Sequence, residues 1–235
     1  MINFDNLPLD PSSRILLSKI DIDFVFQPIF QLSTGKIIAY EALIEHTDCN
    51  EETIVDDYEV HTRIHALELA TFFGATMRFL ERNYDTKLCL NSFASETLTP
   101  REAEIFFDNI GKPLEGRLIV DLLDHNYYSP LTWNFKRTQL RSHNVSIVLD
   151  DFSPTYEHVN AFNVFEPDFV KLDRCYLEDI CRNRDRQDKL NKVVAFYHHL
   201  GAKVMIEGIE TSEEYEYIKT TDIDFVQGNY LGKPE

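Results

Sequence analysis

The chain has 235 residues, 43% of them hydrophobic, enough apolar material for one large globular domain with a substantial core. With 40 acidic against 23 basic side chains it carries a formal charge of −17 and a pI near 4.8, a surface that repels DNA and RNA polymers and anionic lipid. A small phosphorylated ligand is still admissible, provided that a metal ion or a local basic pocket draws it in.

No basic-then-apolar leader opens the chain and no apolar run approaches membrane-spanning length, so the sequence reads as cytoplasmic with no membrane partner. Cys49, Cys89, Cys175 and Cys181 show no C-x-x-C spacing, which favours reduced thiols over a zinc site. Residues 1–20 read as a helical lead-in, with Pro11-Ser-Ser capping a helix over Arg14–Ile20. Residues 21–235 read as a single barrel domain. Phe24–Leu32 is a strand, and its Pro28 predicts an edge or an irregular stretch because proline has no N–H for a ladder. Ser33-Thr-Gly-Lys36 turns the chain into a hairpin partner over Ile37–Ile44. Val60, Ile64, Leu67, Ala70, Phe73, Met77 and Leu80 recur at steps of three and four, the pattern of an amphipathic helix.

From there apolar runs alternate with helical patterns. Six runs each end in a polar residue able to bind metal or phosphate: Asn91, Asp121, Asp150, Lys171, Glu207 and Gln227. The intervals of 20 to 36 residues suit a strand, a loop and a helix, the repeating unit of a (β/α) barrel, in which all six would ring one mouth. An open Rossmann-like sheet predicts a similar alternation, but there is no G-x-G-x-x-G. Within Val145-Ser-Ile-Val-Leu-Asp-Asp-Phe152, the adjacent Asp150 and Asp151 repel one another unless a cation lies between them or one takes a proton, which suggests a metal site.

Together with Glu41, the oxygen ligands Asn91, Asp121, Asp150 and Asp151 suit Mg²⁺ or Mn²⁺ better than zinc. Two such ions roughly 3.5–4 Å apart activate water and stabilise the leaving oxygen of a phosphodiester. A lysine among the carboxylates, Lys171, would orient the attacking water or stabilise phosphoryl charge. Paired acids also serve glycoside hydrolysis, chemistry that needs neither the lysine nor the asparagine.

At these residues the chain resembles the EAL family of cyclic di-GMP phosphodiesterases. The signature is Glu41-Ala42-Leu43, preceded by Gln27-Pro28-Ile29. It is followed in order by Leu90-Asn91-Ser92, Leu149-Asp150-Asp151-Phe152, Val170-Lys171-Leu172-Asp173, Ile206-Glu207-Gly208-Ile209-Glu210 and Val226-Gln227-Gly228-Asn229-Tyr230-Leu231. The resemblance implies an α/β fold, a modified TIM (β/α)₈ barrel of EAL type with one antiparallel strand. It implies opening of one phosphodiester of cyclic di-GMP to linear pGpG, with two Mg²⁺ or Mn²⁺ ions. Glu41, Asn91 and Asp150 would be direct metal ligands, with Asp121 on the acidic motif and Asp151 at the second metal. Glu207 would be the general base and Lys171 its partner on the attacking water. Gln27 would help hold substrate and Gln227 would complete the polar ring beside it. Tyr156 reads as a guanine contact or as core packing, and Asp124, Asp173 and Glu210 read as supporting the site. A homodimer and a protein partner are compatible with this reading.

Three features depart from the family pattern. Glu45 stands where the family places a phosphate-binding arginine, replacing a charge-assisted contact with an anion. Asp121 and Asp124 stand for glutamates, each one methylene shorter. The loop after Asp151-Phe152 reads Ser153-Pro-Thr-Tyr156, with proline where the family has glycines. These departures motivate an alternative: a weak or inactive barrel that acts as a cyclic di-GMP receptor or a protein-binding module. Elsewhere, His61 and His65 lack the glutamate of H-E-x-x-H, His198-His199 reads as a solvated helix end, and Trp133 reads as packing. Glu51-Glu52 and Glu213-Glu214 read as solvated acidic faces.

Overall fold

The computed structural model describes residues 9, 11–17, 22–45, 61–123, 128–150 and 162–235. Among them, β1 (Asp23–Gln31), β2 (Lys36–Glu45), β3 (Lys87–Phe93), β4 (Leu118–Leu123), β5 (Ser146–Leu149), β6 (Phe169–Leu172), β7 (Lys203–Ile206) and β8 (Phe225–Val226) follow one another around a closed barrel. The pairs β3–β4, β5–β6, β6–β7 and β7–β8 are parallel, whereas β1 runs antiparallel to β8. This is the mixed α/β barrel with an antiparallel strand that the sequence predicts. Among the described residues no helix is long and apolar enough to cross a membrane.

The chain divides into two compact units. The first comprises Met1–Phe26 and Glu41–Val145. Its strands β3 and β4 are buried almost throughout, as expected of apolar runs covered on both faces. Helix α1 (Pro11–Leu17) begins three residues before the expected start. Proline is favoured in the first helical turn, where its missing N–H costs nothing. Ser13 therefore lies inside the helix instead of capping it, and its hydroxyl donates to Glu102 Oε1 at 2.8 Å.

The helix predicted from Val60 to Leu80 is interrupted. It runs as α2 (His61–Leu69), a π-helical turn over Ala70–Ala75, and α3 (Thr76–Glu81). Phe72 and Phe73 both meet the Phe106 ring edge-on, at centroid distances of 5.2 and 5.4 Å. A regular helix turns about 100° per residue and separates consecutive side chains, so the widened turn lets both serve one cluster. Helix α4 (Pro100–Ile105) follows, with Thr99 and Glu102 forming a reciprocal capping box, and then α5 (Pro130–Ser142). Trp133 of α5 is 1% exposed, in keeping with packing.

The second unit comprises Gln27–Tyr40 and Ser146–Glu235. Pro28 lies within β1, whose register partners on β8 are Phe30↔Val226 and Gln31↔Phe225, both beyond the proline. The strand is thus part of a closed ring, not an edge. Helix α6 (Arg184–His199) is capped by Asn183, whose Oδ1 accepts from Asp185 N and Arg186 N. His198, predicted to be solvated, donates from Nε2 to Asp224 Oδ2 at 2.8 Å and is 34% exposed.

An Asp-Phe-Val triplet occurs three times, at 23–25, 168–170 and 224–226, and the last two copies make the same bond. Asp168 Oδ2 accepts from Ile147 N at 2.8 Å, and Asp224 Oδ2 accepts from Val204 N at 2.9 Å. Each aspartate ties the start of its own strand to the strand before it. Helix α7 (Ser212–Ile218) corrects one expectation. Glu214 is not on a solvated face but 9% exposed, because it closes a capping box with Thr211.

Candidate functional site

Each unit gathers its own set of predicted residues. In the first, Glu41 on β2 is 4% exposed and Asp121 on β4 is 1% exposed. Asn91 on β3 is the register partner of Asp121, so the two side chains share one face of the parallel pair. Asn91 Nδ2 donates to Glu41 Oε1 and to Ala42 O, each at 3.2 Å. Its Oδ1 is buried with no hydrogen-bond partner among the described residues, an orphan that costs free energy unless something else binds it. A cavity of about 20 Å³, bounded by Asn91, Ala42, Thr71 and Leu123 among others, adjoins it and is large enough for one water.

These are oxygen donors, two of them carboxylates and one an orphaned amide oxygen, and they fit a hard divalent cation. Among the described residues no three His, Cys, Asp or Glu side chains gather into a metal site. Ser92, the residue after Asn91, faces the other way. It donates to Glu68 Oε1 at 2.6 Å, and Glu68 Oε2 accepts from Phe93 N at 3.2 Å. Lys136 of α5 inserts here, its Nζ within 2.6–2.8 Å of Glu68 Oε1, Ser92 Oγ, Phe93 O and Glu96 O. Lys136 and Glu68 are 2% and 1% exposed.

His65, on the same helix as Glu68, bridges Glu96 Oε1 at 3.3 Å and Glu102 Oε1 at 3.2 Å. Those two hydrogen bonds, the one to Glu102 first, push its pKa up to about 10, so it is a cation held between two anions. Burial opposes ionisation of Glu102, but bonds from His65, Thr99 and Ser13 prevail and bring its pKa down to about 2. His65 is thus a structural ion-pair partner.

In the second unit, Lys171 on β6 is 3% exposed and stands between two carboxylates just past the ends of β5 and β7. Its Nζ lies 3.4 Å from Asp150 Oδ1 and 3.2 Å from Glu207 Oε2, whose side chains are 21% and 31% exposed. A buried ammonium flanked by two half-open carboxylates can orient a nucleophilic water, and a carboxylate beside it can accept that water's proton. Gln227, 2% exposed, donates from Nε2 to Gln27 Oε1 at 3.0 Å. Gln27 Nε2 in turn reaches Asn229 Oδ1 at 3.2 Å and Gly232 O at 3.1 Å. Both glutamines are therefore held by their own unit.

Asp173 caps the 3₁₀ turn over Arg174–Tyr176, with Oδ1 accepting from Cys175 N at 2.7 Å. Burial opposes its ionisation, but the bonds from Cys175 outweigh this and hold its carboxyl below the usual range. Glu210 forms an ion pair with Arg174 at 2.8 Å. Glu45 closes β2 and is exposed. The predicted roles of Asp151, Asp124 and Tyr156, and the glutamates Glu51 and Glu52, lie outside the described residues. The Lys136–Glu68 pair and Arg174 were not singled out by the sequence reading. A lysine on the apolar side of a helix, Trp133-Asn-Phe-Lys136, was the only available sign of the first.

A closed, mixed eight-stranded α/β barrel places the protein among the TIM-type barrels. The EAL domain model matches residues 13–234, and the chain belongs to the EAL domain family. It is 26% identical over 120 residues to the cyclic di-GMP phosphodiesterase PdeL of Escherichia coli strain K12, an alignment covering 50% of this chain and 33% of PdeL. A standalone versatile EAL protein from Vibrio cholerae O395, in a cyclic di-GMP-bound form, superposes with a TM-score of 0.77 at 19% identity, covering 91% of this chain and 92% of that one. The manganese and cyclic di-GMP complex of BlrP1 from Klebsiella pneumoniae gives 0.76 at 21% identity, covering 91% of this chain and 56% of that one. The chain spans 12%, 56% and 12% of the length of the first three curated relatives it matches.

Proposed function

We propose that the protein hydrolyses one phosphodiester bond of cyclic di-GMP to give linear pGpG. The observation that carries this reading is the placement of Lys171 between Asp150 and Glu207. A module that only bound the ligand would have no need to bury an ammonium against two carboxylates. The cyclic di-GMP named for PdeL, the Vibrio protein and BlrP1 supports the choice of substrate.

Glu41, Asn91, Asp121, Asp150 and Asp151 would be the ligands of Mg²⁺ or Mn²⁺, two ions in all. When bound, such ions lower the pKa of water and stabilise a leaving oxygen. The chain's own residues do the rest. Glu207 accepts the proton of the attacking water. Lys171 orients that water. Gln227 and Gln27, locked to one another, present fixed amides to the substrate, with Tyr156 against a base. Asp124, Asp173 and Glu210 support these groups. Mixing purified protein with cyclic di-GMP and Mn²⁺, alongside Glu41→Ala and Glu207→Gln, tests the reading: pGpG from the wild type alone is expected, and no pGpG at high protein concentration sinks it.

A second reading follows from one observation, the exposed carboxylate of Glu45 where the family carries an arginine. It makes the protein a cyclic di-GMP receptor with little or no turnover, or a module for a protein partner. Ligand binding without turnover, unaffected by Glu207→Gln, is the result that selects it. Light scattering separates a homodimer from a monomer in either case.

A further inference from the structure

The loop that leads out of β7, from Glu207 to Glu210, is gripped from two directions. On one side the grip is backbone. Ile209 N donates to Gln227 O at 3.1 Å and Tyr230 N donates to Ile209 O at 3.0 Å. Gly228 permits this approach, since a Cβ there would fall 2.2 Å from Ile209 O. On the other side the grip is a single side chain. Arg174 Nη1 donates to Gly208 O, while Nη2 reaches Glu210 Oε2 at 2.8 Å and Glu214 Oε1 at 3.3 Å. The other oxygen of Glu214 accepts from Glu210 N at 2.8 Å and from Thr211 N at 3.0 Å.

One guanidinium thus ties together the residue after Glu207, the residue three beyond it, and the cap of α7. The planar fork of arginine suits this task, because its donors are fixed relative to one another; a lysine could serve one acceptor at a time. The fit extends to the stem. Gly208 has φ +75°, and a Cβ on it would lie 2.7 Å from Arg174 Cβ. Arg174 itself is launched from the 3₁₀ turn that Asp173 caps. An arginine that merely balanced surface charge would not be built into the loop at three points.

We propose that Arg174 is a positioning residue for Glu207, which rests on the reading of Glu207 as the proton acceptor in phosphodiester hydrolysis. Its guanidinium is committed to two carboxylates and a carbonyl, so it holds the loop and does not bind substrate phosphate. Loosening the loop displaces the Glu207 carboxylate from Lys171 without altering either group, and small displacements of a reacting group are costly.

The test compares wild type with Arg174→Ala, Arg174→Lys and, as a control, Arg186→Ala. Arg186 is a nearby arginine bonded to Glu178 and to Cys175 O, away from the loop. For Arg174→Ala we expect kcat to fall roughly 10- to 100-fold while cyclic di-GMP affinity stays within about twofold. Arg174→Lys should recover part of the loss, and Arg186→Ala should match wild type. Amide exchange at Ile209 and Glu210 should quicken about tenfold in Arg174→Ala, with thermal unfolding still cooperative. Unchanged kcat or unchanged exchange overturns the positioning role alone, as does a loss confined to ligand affinity, which would make Arg174 a substrate contact. A wild type that leaves cyclic di-GMP intact overturns the phosphodiesterase reading, and the positioning role with it.

Discussion

Asn91 and Asp121 stand opposite one another in the parallel register of β3 and β4, and the amide of Asn91 also donates to Glu41. One asparagine therefore sets the orientation of a carboxylate on the strand before it and shares a face with a carboxylate on the strand after it. Replacing it with alanine removes the donor to Glu41 and the orphaned oxygen together. Mn²⁺ affinity of Asn91→Ala, measured by calorimetric titration, should fall by at least about tenfold, in the range seen when groups that orient metal ligands are lost. An unchanged affinity would place the metal elsewhere.

The Lys136–Glu68 pair gives a stability prediction. Lys136→Met strands a carboxylate that is 1% exposed, and it should lower unfolding free energy by about 3–5 kcal/mol in urea titrations. Lys136→Met combined with Glu68→Leu removes both charges and should recover much of the loss. If the double variant is as unstable as the sum of the singles, packing and not charge pairing explains the site.

His65 makes stability depend on pH in a definite direction. Its pKa rises from 6.5 when unfolded to about 10 in the folded chain, because folding supplies Glu102 and Glu96 as acceptors. The folded state therefore binds the proton more tightly, and the resulting stabilisation is complete below about pH 6.5 and disappears as pH climbs through 10. Glu102, brought down from 4.5 to about 2, contributes above pH 4.5 and loses its contribution as pH falls toward 2. His65→Gln should cost about 1.5–3 kcal/mol at pH 6 and much less at pH 10.5, read from denaturation at the two values. Equal costs at both would show that the imidazole acts by shape alone.

Glu45 can be tested by restoring the family's charge. Glu45→Arg should tighten cyclic di-GMP binding by about tenfold or more, one charge-assisted contact being worth at least about 1.4 kcal/mol. Weaker or unchanged binding in equilibrium dialysis would remove the main support for a receptor-like protein.

The alternation of strands and helices was legible because apolar runs ending in Asn91, Asp121, Asp150, Lys171, Glu207 and Gln227 recur at intervals that suit a strand, a loop and a helix. An open sheet fits the same alternation, and the ordered family motifs are what point to a closed barrel. The π turn at Ala70–Ala75 was not legible: its residues fit a regular helix locally, and the Phe106 ring that Phe72 and Phe73 meet is distant in sequence. Glu214 misled for a related reason. Next to Glu213 it looked like solvated charge, although Thr211 three residues earlier was the cue for a capping box. Lys136 and Arg174 were missed because their partners come from other elements, and no local pattern records a long-range ion pair.

The paired bonds of Asp168 and Asp224 have a consequence at the opposite end of their strands. Side chains alternate along a strand, so a slip of one residue would exchange every inward group for an outward one. By accepting from Ile147 N, Asp168 fixes how β6 lies against β5, and so which of Lys171 and its neighbours faces Asp150. Asp224 does the same for β8 against β7, and so for Gln227. Two carboxylates with no part in the proposed chemistry thus act as its alignment pins, and losing either would change which side chains the rim presents.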